Sequence, residues 1–213
     1  MVAAPTSSPR RQRRWEARRR ELLDAAVALI ARDGIDAFSL SRLAAELDIA
    51  VGGIYRYFRA RDGLLAELLI EVAGDVRERL FAAGEPAGVA WVRAAVDAYV
   101  RFADEAPERF ALLSRTLADP RPLVADPEAE KVLEATAPLI AAMSLALDAG
   151  ARHGELAPGP GAARAARLWA ALQGALQLRK LGRFTVTAEI GGDLARDVAD
   201  DLLRAWAAAP AAR

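Results

Sequence analysis

Cysteine is absent from this chain, methionine occurs twice and histidine once, at His153. Without cysteine there is no disulfide framework and no thiol chemistry. A lone histidine supports neither a zinc-ligand spacing nor a Ser/His/Asp arrangement. No glycine-rich phosphate loop occurs, and paired carboxylates such as Asp200-Asp201 read as a solvated face. These gaps argue against an enzyme and against any metal or organic cofactor. Long apolar runs are missing too: the longest uncharged core-like stretch, Ala135 to Leu147, falls short of the roughly 18 consecutive apolar residues of a membrane helix. Arg10-Arg11-Gln12-Arg13-Arg14 has no apolar run behind it, so this basic start is not a secretion signal. The expectation is a cytoplasmic protein with no membrane partner. Lysine is scarce as well, standing only at 131 and 180 beside abundant arginine and alanine, a bias of codon usage rather than of chemistry.

What the chain does have is length enough for one large helical domain and a small one, in 213 residues. Its net charge of zero hides an uneven distribution. Residues 1–63 carry twelve Lys and Arg against eight Asp and Glu, a balance of +4, and the remainder carries −4. A basic end ahead of an acidic body suits a nucleic-acid reader, because phosphate contacts supply most of the affinity and acidic surface is repelled by the duplex.

The pattern along the chain is helical throughout. Residues 1–14, rich in Pro, Ser and Arg and without periodicity, are expected to form a disordered basic arm. A helix follows from about Trp15 to Arg32 with Gly34 closing it, then two short helices, then a linker helix from Arg61 to about Ala83. Gly84-Glu85-Pro86-Ala87-Gly88 marks a domain boundary. Five further helices are expected near 88–105, 107–118, 127–153, 162–182 and 190–208, with breaks at Asp119 to Pro127, Ala157 to Gly161 and Gly182 to Gly192. Thr185-Val186-Thr187 is read as a loop in the last break. The fold class is all-α: a reader over 15–62, a linker helix over 63–83 and a helical bundle over 84–213.

The stretch from Phe38 to Phe58 carries the function. Leu40, Leu43, Ala44 and Leu47 fall at i, i+3, i+4 and i+7 and make one apolar stripe. Asp48-Ile49 leaves room only for a tight turn, and Ile54 and Phe58 give the next segment its own buried face. The opposite face carries Val51, Gly52, Gly53, Tyr55 and Arg56. A helix-turn-helix lays such a face in the major groove, where side chains near the helix start reach base edges and flanking basic and hydroxyl groups hold phosphates.

Residues Leu22 to Leu69 resemble the DNA-binding domain of the TetR family of bacterial regulators. The likeness rests on Gly34, Phe38-Ser39, Leu43-Ala44, Ile49, Gly52, Tyr55-Arg56-Tyr57-Phe58, Arg61 and Leu64-Leu65 in order and spacing. The resemblance implies a homodimer whose ligand-free form binds a palindromic operator on double-stranded DNA, usually as a repressor, and which responds to a small-molecule effector. A looser likeness extends into the body through Tyr99, Phe102, Pro107 to Phe110, and Trp169 to Gly174. This resembles a group carrying Trp-x-x-x-His-Gly, with Gln173 standing where His is expected.

Among the candidate DNA contacts, the family places the tyrosine at 55 on a phosphate, and Arg61 resembles its phosphate-contacting Lys, with charge kept and donors added. A solvated surface role for Arg61 stays open, as does a core role for Tyr57 beside Phe58. Ser39 suits an N-cap, a phosphate contact, or both. Arg42 lies off the apolar stripe, either reaching guanine or solvated. Val51, Gly52 and Gly53 are weak helix starters, each glycine costing about 1 kcal/mol against alanine, and Ala50 stands where the family has a capping Ser. The glycines allow close backbone approach to DNA, which leaves hydrogen-bonded discrimination to Arg42, Tyr55, Arg56 and groove shape. The Arg10 to Arg20 cluster either enters the minor groove or adds nonspecific phosphate affinity.

In the body, Ala166, Ala170 and Gly174 recur every four residues as a groove of small side chains. Leu194, Val198, Leu202 and Ala205 line the last helix. By resemblance these two helices form a four-helix interface with a second copy, with intramolecular packing the alternative. Ligand-pocket candidates are Trp91, Tyr99, Phe102, Phe110, Met143, Trp169, Gln173 and Gln177, with plain core packing as their alternative. A rival to the regulator is a helical binding module whose reader has stopped binding DNA.

Overall fold

The computed structural model describes residues 8–118, 123–179, 181 and 192–208. The first seven residues of the expected arm, the break residues 119–122, and the loop Thr185-Val186-Thr187 lie outside the described residues. Among the described residues the elements are α1 (Pro9–Asp33), α2 (Leu40–Glu46), α3 (Val51–Tyr55), α4 (Arg61–Phe81), α5 (Gly88–Glu105), α6 (Pro107–Ala118), α7 (Asp126–Arg152), α8 (Gly161–Leu178) and α9 (Gly192–Ala205). The described residues hold no strand, only an isolated bridge between Leu156 and Ala207.

The chain forms two compact units, one holding residues up to Val72 together with Glu108–Leu133, the other holding Ala73–Pro107 and residues from Glu134 onward. The helix α4 runs through both. Gly84 to Gly88, read from sequence as a domain boundary, turns the chain inside the second unit. The reason is that Leu112 and Val124, from α6 and the approach to α7, join the core of the reader.

That first core is built from Leu22, Leu23, Ala26, Leu29 and Ile30 of α1, Leu40, Leu43 and Ala44 of α2, Ile54 of α3, Phe58, and Leu64, Leu65, Leu68 and Leu69 of α4. The i, i+3, i+4 spacing of each set puts its members on one helical face. Leu43 is completely buried. Leu43→Ala is expected to lower the unfolding free energy by about 3 kcal/mol through lost burial and a residual cavity, read as a shifted urea midpoint at unchanged slope.

α1 begins six residues before the expected Trp15, which corrects the reading of residues 9–14 as disordered. Pro9 sits at the first helical position, where its fixed φ and missing N–H cost nothing. Gln12 Nε2 donates to Glu16 Oε1 at 3.1 Å one turn on, and the Trp15 ring stacks on Tyr57 with centroids 5.5 Å apart. Between α2 and α3 the chain reverses through a Schellman turn. Ile49 N–H donates to Ala44 O at 3.0 Å and Asp48 N–H to Ala45 O at 3.2 Å. Asp48 takes the left-handed position with φ 51°, which Asp tolerates better than most non-glycine residues.

In the second unit α5 supplies Trp91, Val92, Ala95, Val96, Tyr99 and Phe102 to the core. Its start is fixed by Gly88 at φ 80° and by Glu155 Oε2, which accepts from Val89 N–H at 2.8 Å. Arg93 and Arg196 pair with Asp200 and Asp97 at 2.8 and 2.7 Å, joining α5 to α9 across a solvated rim where such pairs add little stability. α7 is, by length and composition, long and apolar enough to cross a membrane, contrary to the expectation from Ala135 to Leu147 alone. Its small residues keep it apolar across Pro138 and Ser144, and in this fold Leu139, Ala142, Ala146 and Leu147 are buried against protein.

Candidate functional site

The reader's outward surface is assembled from the start of α2, the whole of α3 and the entry to α4. Ser39 caps α2, its Oγ accepting from Arg42 N–H at 3.2 Å. α3 is a helix of five residues, shorter than the expected segment, because after Tyr55 the chain tightens: Tyr57 and Phe58 N–H both donate to Ile54 O, at 2.8 and 3.0 Å. Ile54 and Phe58 are buried, so the stripe predicted for them holds although Phe58 has left the helix.

Tyr55 is 52% exposed, unusual for a ring of its size, with exposed Arg56 beside it. Ala50 makes no side-chain cap bond. A Cβ built on Gly52 would meet nothing within 4 Å, and one on Gly53 would touch only Ile49 Cδ1 at 3.9 Å. Internal packing therefore does not require either glycine. Tyr57 is half-buried against Trp15, consistent with a packing role. Val51 is half-buried against the first core.

Two of the three arginines singled out as contacts, Arg42 and Arg61, are already engaged. Arg42 Nη2 donates to Asp33 Oδ2 at 2.6 Å and Nη1 to Ala37 O at 3.2 Å. Arg32 bridges Asp33 and Glu46, and this hydrogen bonding is the main reason both carboxyls sit below the usual carboxylate range. Both are thus charged at neutral pH, and Arg42 belongs to a cluster whose charges balance. Arg61 is neither wholly solvated nor idle: its Nε donates to Phe38 O at 3.1 Å and its Nη2 to Ile35 O at 2.9 Å. It clasps the α1–α2 loop to the first turn of α4. Asp62 beside it accepts from Ala125 N–H at 3.0 Å, close to the start of α7. Asp33, Asp62 and the exposed Arg59 escaped the sequence reading, since a lone acid or base in a loop gives no pattern until its partner is in view.

In the second unit Ala166, Ala170 and Gly174 are all exposed, Leu194, Val198 and Leu202 are half-buried, and Ala205 is exposed. The same unit encloses a cavity of about 30 Å³ lined by eleven uncharged side chains. Of the eight pocket candidates, Tyr99, Met143 and Trp169 line it. Gln173 reaches it indirectly, its Oε1 accepting from the Tyr99 hydroxyl at 3.0 Å. The other four do not line it. Trp91 is buried with its indole N–H given to Gly84 O, Phe102 is fully enclosed, Gln177 is half-buried outside the lining, and Phe110 belongs to the first unit.

Two family models match the chain: bacterial regulatory proteins of the tetR family over residues 22–68, and the tetracyclin repressor-like C-terminal domain over residues 92–206, more than half of its length. The chain belongs to the TetR family. Its membership makes it a transcriptional regulator with a helix-turn-helix DNA-binding domain rather than an enzyme. A curated relative, the HTH-type transcriptional repressor KstR of Mycolicibacterium smegmatis, is 34% identical over 73 residues, a match spanning 34% of each protein. Among solved TetR-like structures, a protein of unknown function from Rhodococcus sp. RHA1 is 26% identical with TM-score 0.68, covering 89% of this chain and 94% of that one. The TetR family regulator PfmR from Thermus thermophilus shares the fold at 17% identity and TM-score 0.68, covering 86% of this chain and 97% of its own.

The open glycine surface gives a TetR-family reader a testable peculiarity. Gly52→Ala fits the free protein without contact and adds about 1 kcal/mol of helix stability. If the bare backbone exists to approach DNA, the same variant melts higher and binds DNA more weakly. A gain in both would show that the glycine serves no contact.

Proposed function

We propose that the chain is a cytoplasmic, effector-responsive repressor that grips a palindromic operator as a homodimer. The observation that carries this reading is the surface of α3, where a half-exposed Tyr55 and an exposed Arg56 stand beside glycines that packing among the described residues does not require. Tyr55 and Arg61 are the phosphate-gripping groups, Ser39 caps α2 and presents its hydroxyl, and Arg42 and Arg56 read base edges. Arg42 does so by exchanging or sharing Asp33, so its charge is presented only when the duplex replaces that partner. Val51 offers a methyl contact and Gly53 close backbone approach.

The pairing face is the exposed stripe Ala166, Ala170 and Gly174 with the half-covered Leu194, Val198 and Leu202 and with Ala205. Small side chains let a partner helix approach closely, and apolar side chains left open in one copy find cover in two. Effector binding in the body changes the spacing of the two readers through α4, the helix that runs through both units.

A mobility shift on the gene's own upstream region, with and without added salt, tests this reading. Saturable, sequence-specific retardation is expected. Smearing that salt abolishes on every fragment would point instead to a helical binding module whose reader has lost DNA.

A further inference from the structure

Resting on the reading of the chain as an operator-gripping regulator, we infer that the basic first turns of α1 are a second DNA contact, laid on the phosphates beside each half-site. Arg10, Arg11, Arg13 and Arg14 are all exposed, and no acidic residue stands among them between Pro9 and Trp15. None of the four takes part in an ion pair among the described residues. Other arginines of the reader are already engaged: Arg18 pairs with Glu21 at 2.7 Å, Arg19 with Glu67, and Arg32 and Arg42 with Asp33. Four uncompensated cations therefore crowd the start of a helix, where the helix dipole and their i, i+3 and i, i+4 spacing both oppose them. Ser8 supplies no side-chain cap and the first turn holds no acid, so nothing local offsets that cost. A row of phosphates would.

Tertiary contacts set where these turns lie. The Trp15 ring stacks on Tyr57 with centroids 5.5 Å apart, and the Arg19 guanidinium lies 5.4 Å from the centroids of both the Trp15 and Phe58 rings. Tyr57 directly follows Tyr55 and Arg56, so α1 is fastened beside the proposed contact face of α3. Arg11 lies one turn before Trp15 on the same side of the helix, which carries the positive surface onward from α3. Helical form decides what these turns can read. A helix about 10–12 Å across does not fit a minor groove about 6 Å wide, which an extended arm would enter. The arginines are left to the phosphates along the groove, a contact that adds affinity on every sequence and discriminates between none. At about 1.5 Å per residue, Pro9 to Trp15 spans about 10 Å, or about three base pairs.

The experiment titrates the full-length protein onto the gene's own upstream region and onto a scrambled duplex of the same length, over a series of salt concentrations. The variant carries Arg10→Gln, Arg11→Gln, Arg13→Gln and Arg14→Gln together, and because Gln nearly matches Arg in helix propensity its melting temperature is expected to hold. At about 0.1 M salt it is expected to bind both duplexes about tenfold more weakly, with a log-log salt slope shallower by about 0.9 for each phosphate lost. The ratio of the two affinities stays within about twofold, since phosphates carry no sequence. Hydroxyl-radical protection is expected to retract by about three base pairs at one edge of each half-site. The four Lys replacements keep affinity, slope and footprint, because a phosphate accepts Lys as a point charge. Arg10→Gln with Arg14→Gln repeats the test should the fourfold variant melt early. The inference is overturned if the slope does not move, if affinity falls while the footprint keeps its edges, or if the Lys variant loses the upstream region alone, which would mean base reading. A protein that shifts DNA but fails these tests loses this contact alone. One that shifts no DNA at low salt loses the regulator and the contact with it.

Discussion

Ala170→Glu is expected to leave the protein folded, monomeric and weaker on its operator by two or more orders of magnitude. Ala170 is exposed in the single copy, so the charge costs the isolated fold almost nothing, and the melting temperature falls only by the stabilisation that pairing supplied. In a close-packed four-helix seam the same carboxylate is stripped of water beside Ala166 and Gly174 with no cation to receive it. A penalty of several kcal/mol follows, enough to split the pair at micromolar concentration. Each reader then binds its half-site alone and forfeits the roughly 10²–10⁴ gained when the second contact is intramolecular. Sedimentation equilibrium and a mobility shift on one sample measure both effects. A dimer of undiminished strength would place the seam elsewhere.

Tyr55→Phe and Arg56→Ala together are expected to weaken specific binding by about a hundredfold without lowering stability. Removing the Tyr55 hydroxyl leaves the exposed ring in place, and Arg56 is exposed, so the free protein is expected to lose little packing. A phosphate hydrogen bond and one bidentate base contact contribute about 1–3 kcal/mol each, which multiplies to this range. Arg61→Ala makes the contrast. It removes the guanidinium donor from the Phe38 and Ile35 carbonyls, the second of which keeps only the Phe38 N–H at 3.2 Å, and is expected to lower both stability and affinity, so its effect on DNA binding cannot by itself identify a contact. Titration of a labelled operator alongside thermal melts distinguishes the pair. A double variant that binds as tightly as the original would remove α3 from the interface.

The reader was largely legible in the sequence because its signals are local. The spacing of Leu40, Leu43 and Ala44, the two-residue turn and the basic N-terminal balance each act over a few residues, and all agree. Helix starts at Gly88, Pro107 and Gly161 were legible to within one residue for the same reason. The helical start at Pro9 was hidden by a run of arginines with no apolar stripe, residues that stay exposed in the helix and so leave no periodic signal. The engagement of Arg42 and Arg61 was equally out of reach. Asp33 lies nine residues from Arg42, and the carbonyls that hold Arg61 lie 23 and 26 residues away. Pocket residues were the least legible, because an aromatic on a body helix looks alike whether it lines a void, as Trp169 does, or fills a core, as Phe102 does.

In the proposed regulator, two copies present residues 39–61 to one face of a duplex. Hydroxyl-radical footprinting of the upstream region with the full-length protein tests it directly. Protected patches are expected in symmetric half-sites with centres one helical turn, about 10 bp, or a small multiple of it apart. Protection of one isolated patch, or an even coating of all sequences, would contradict it.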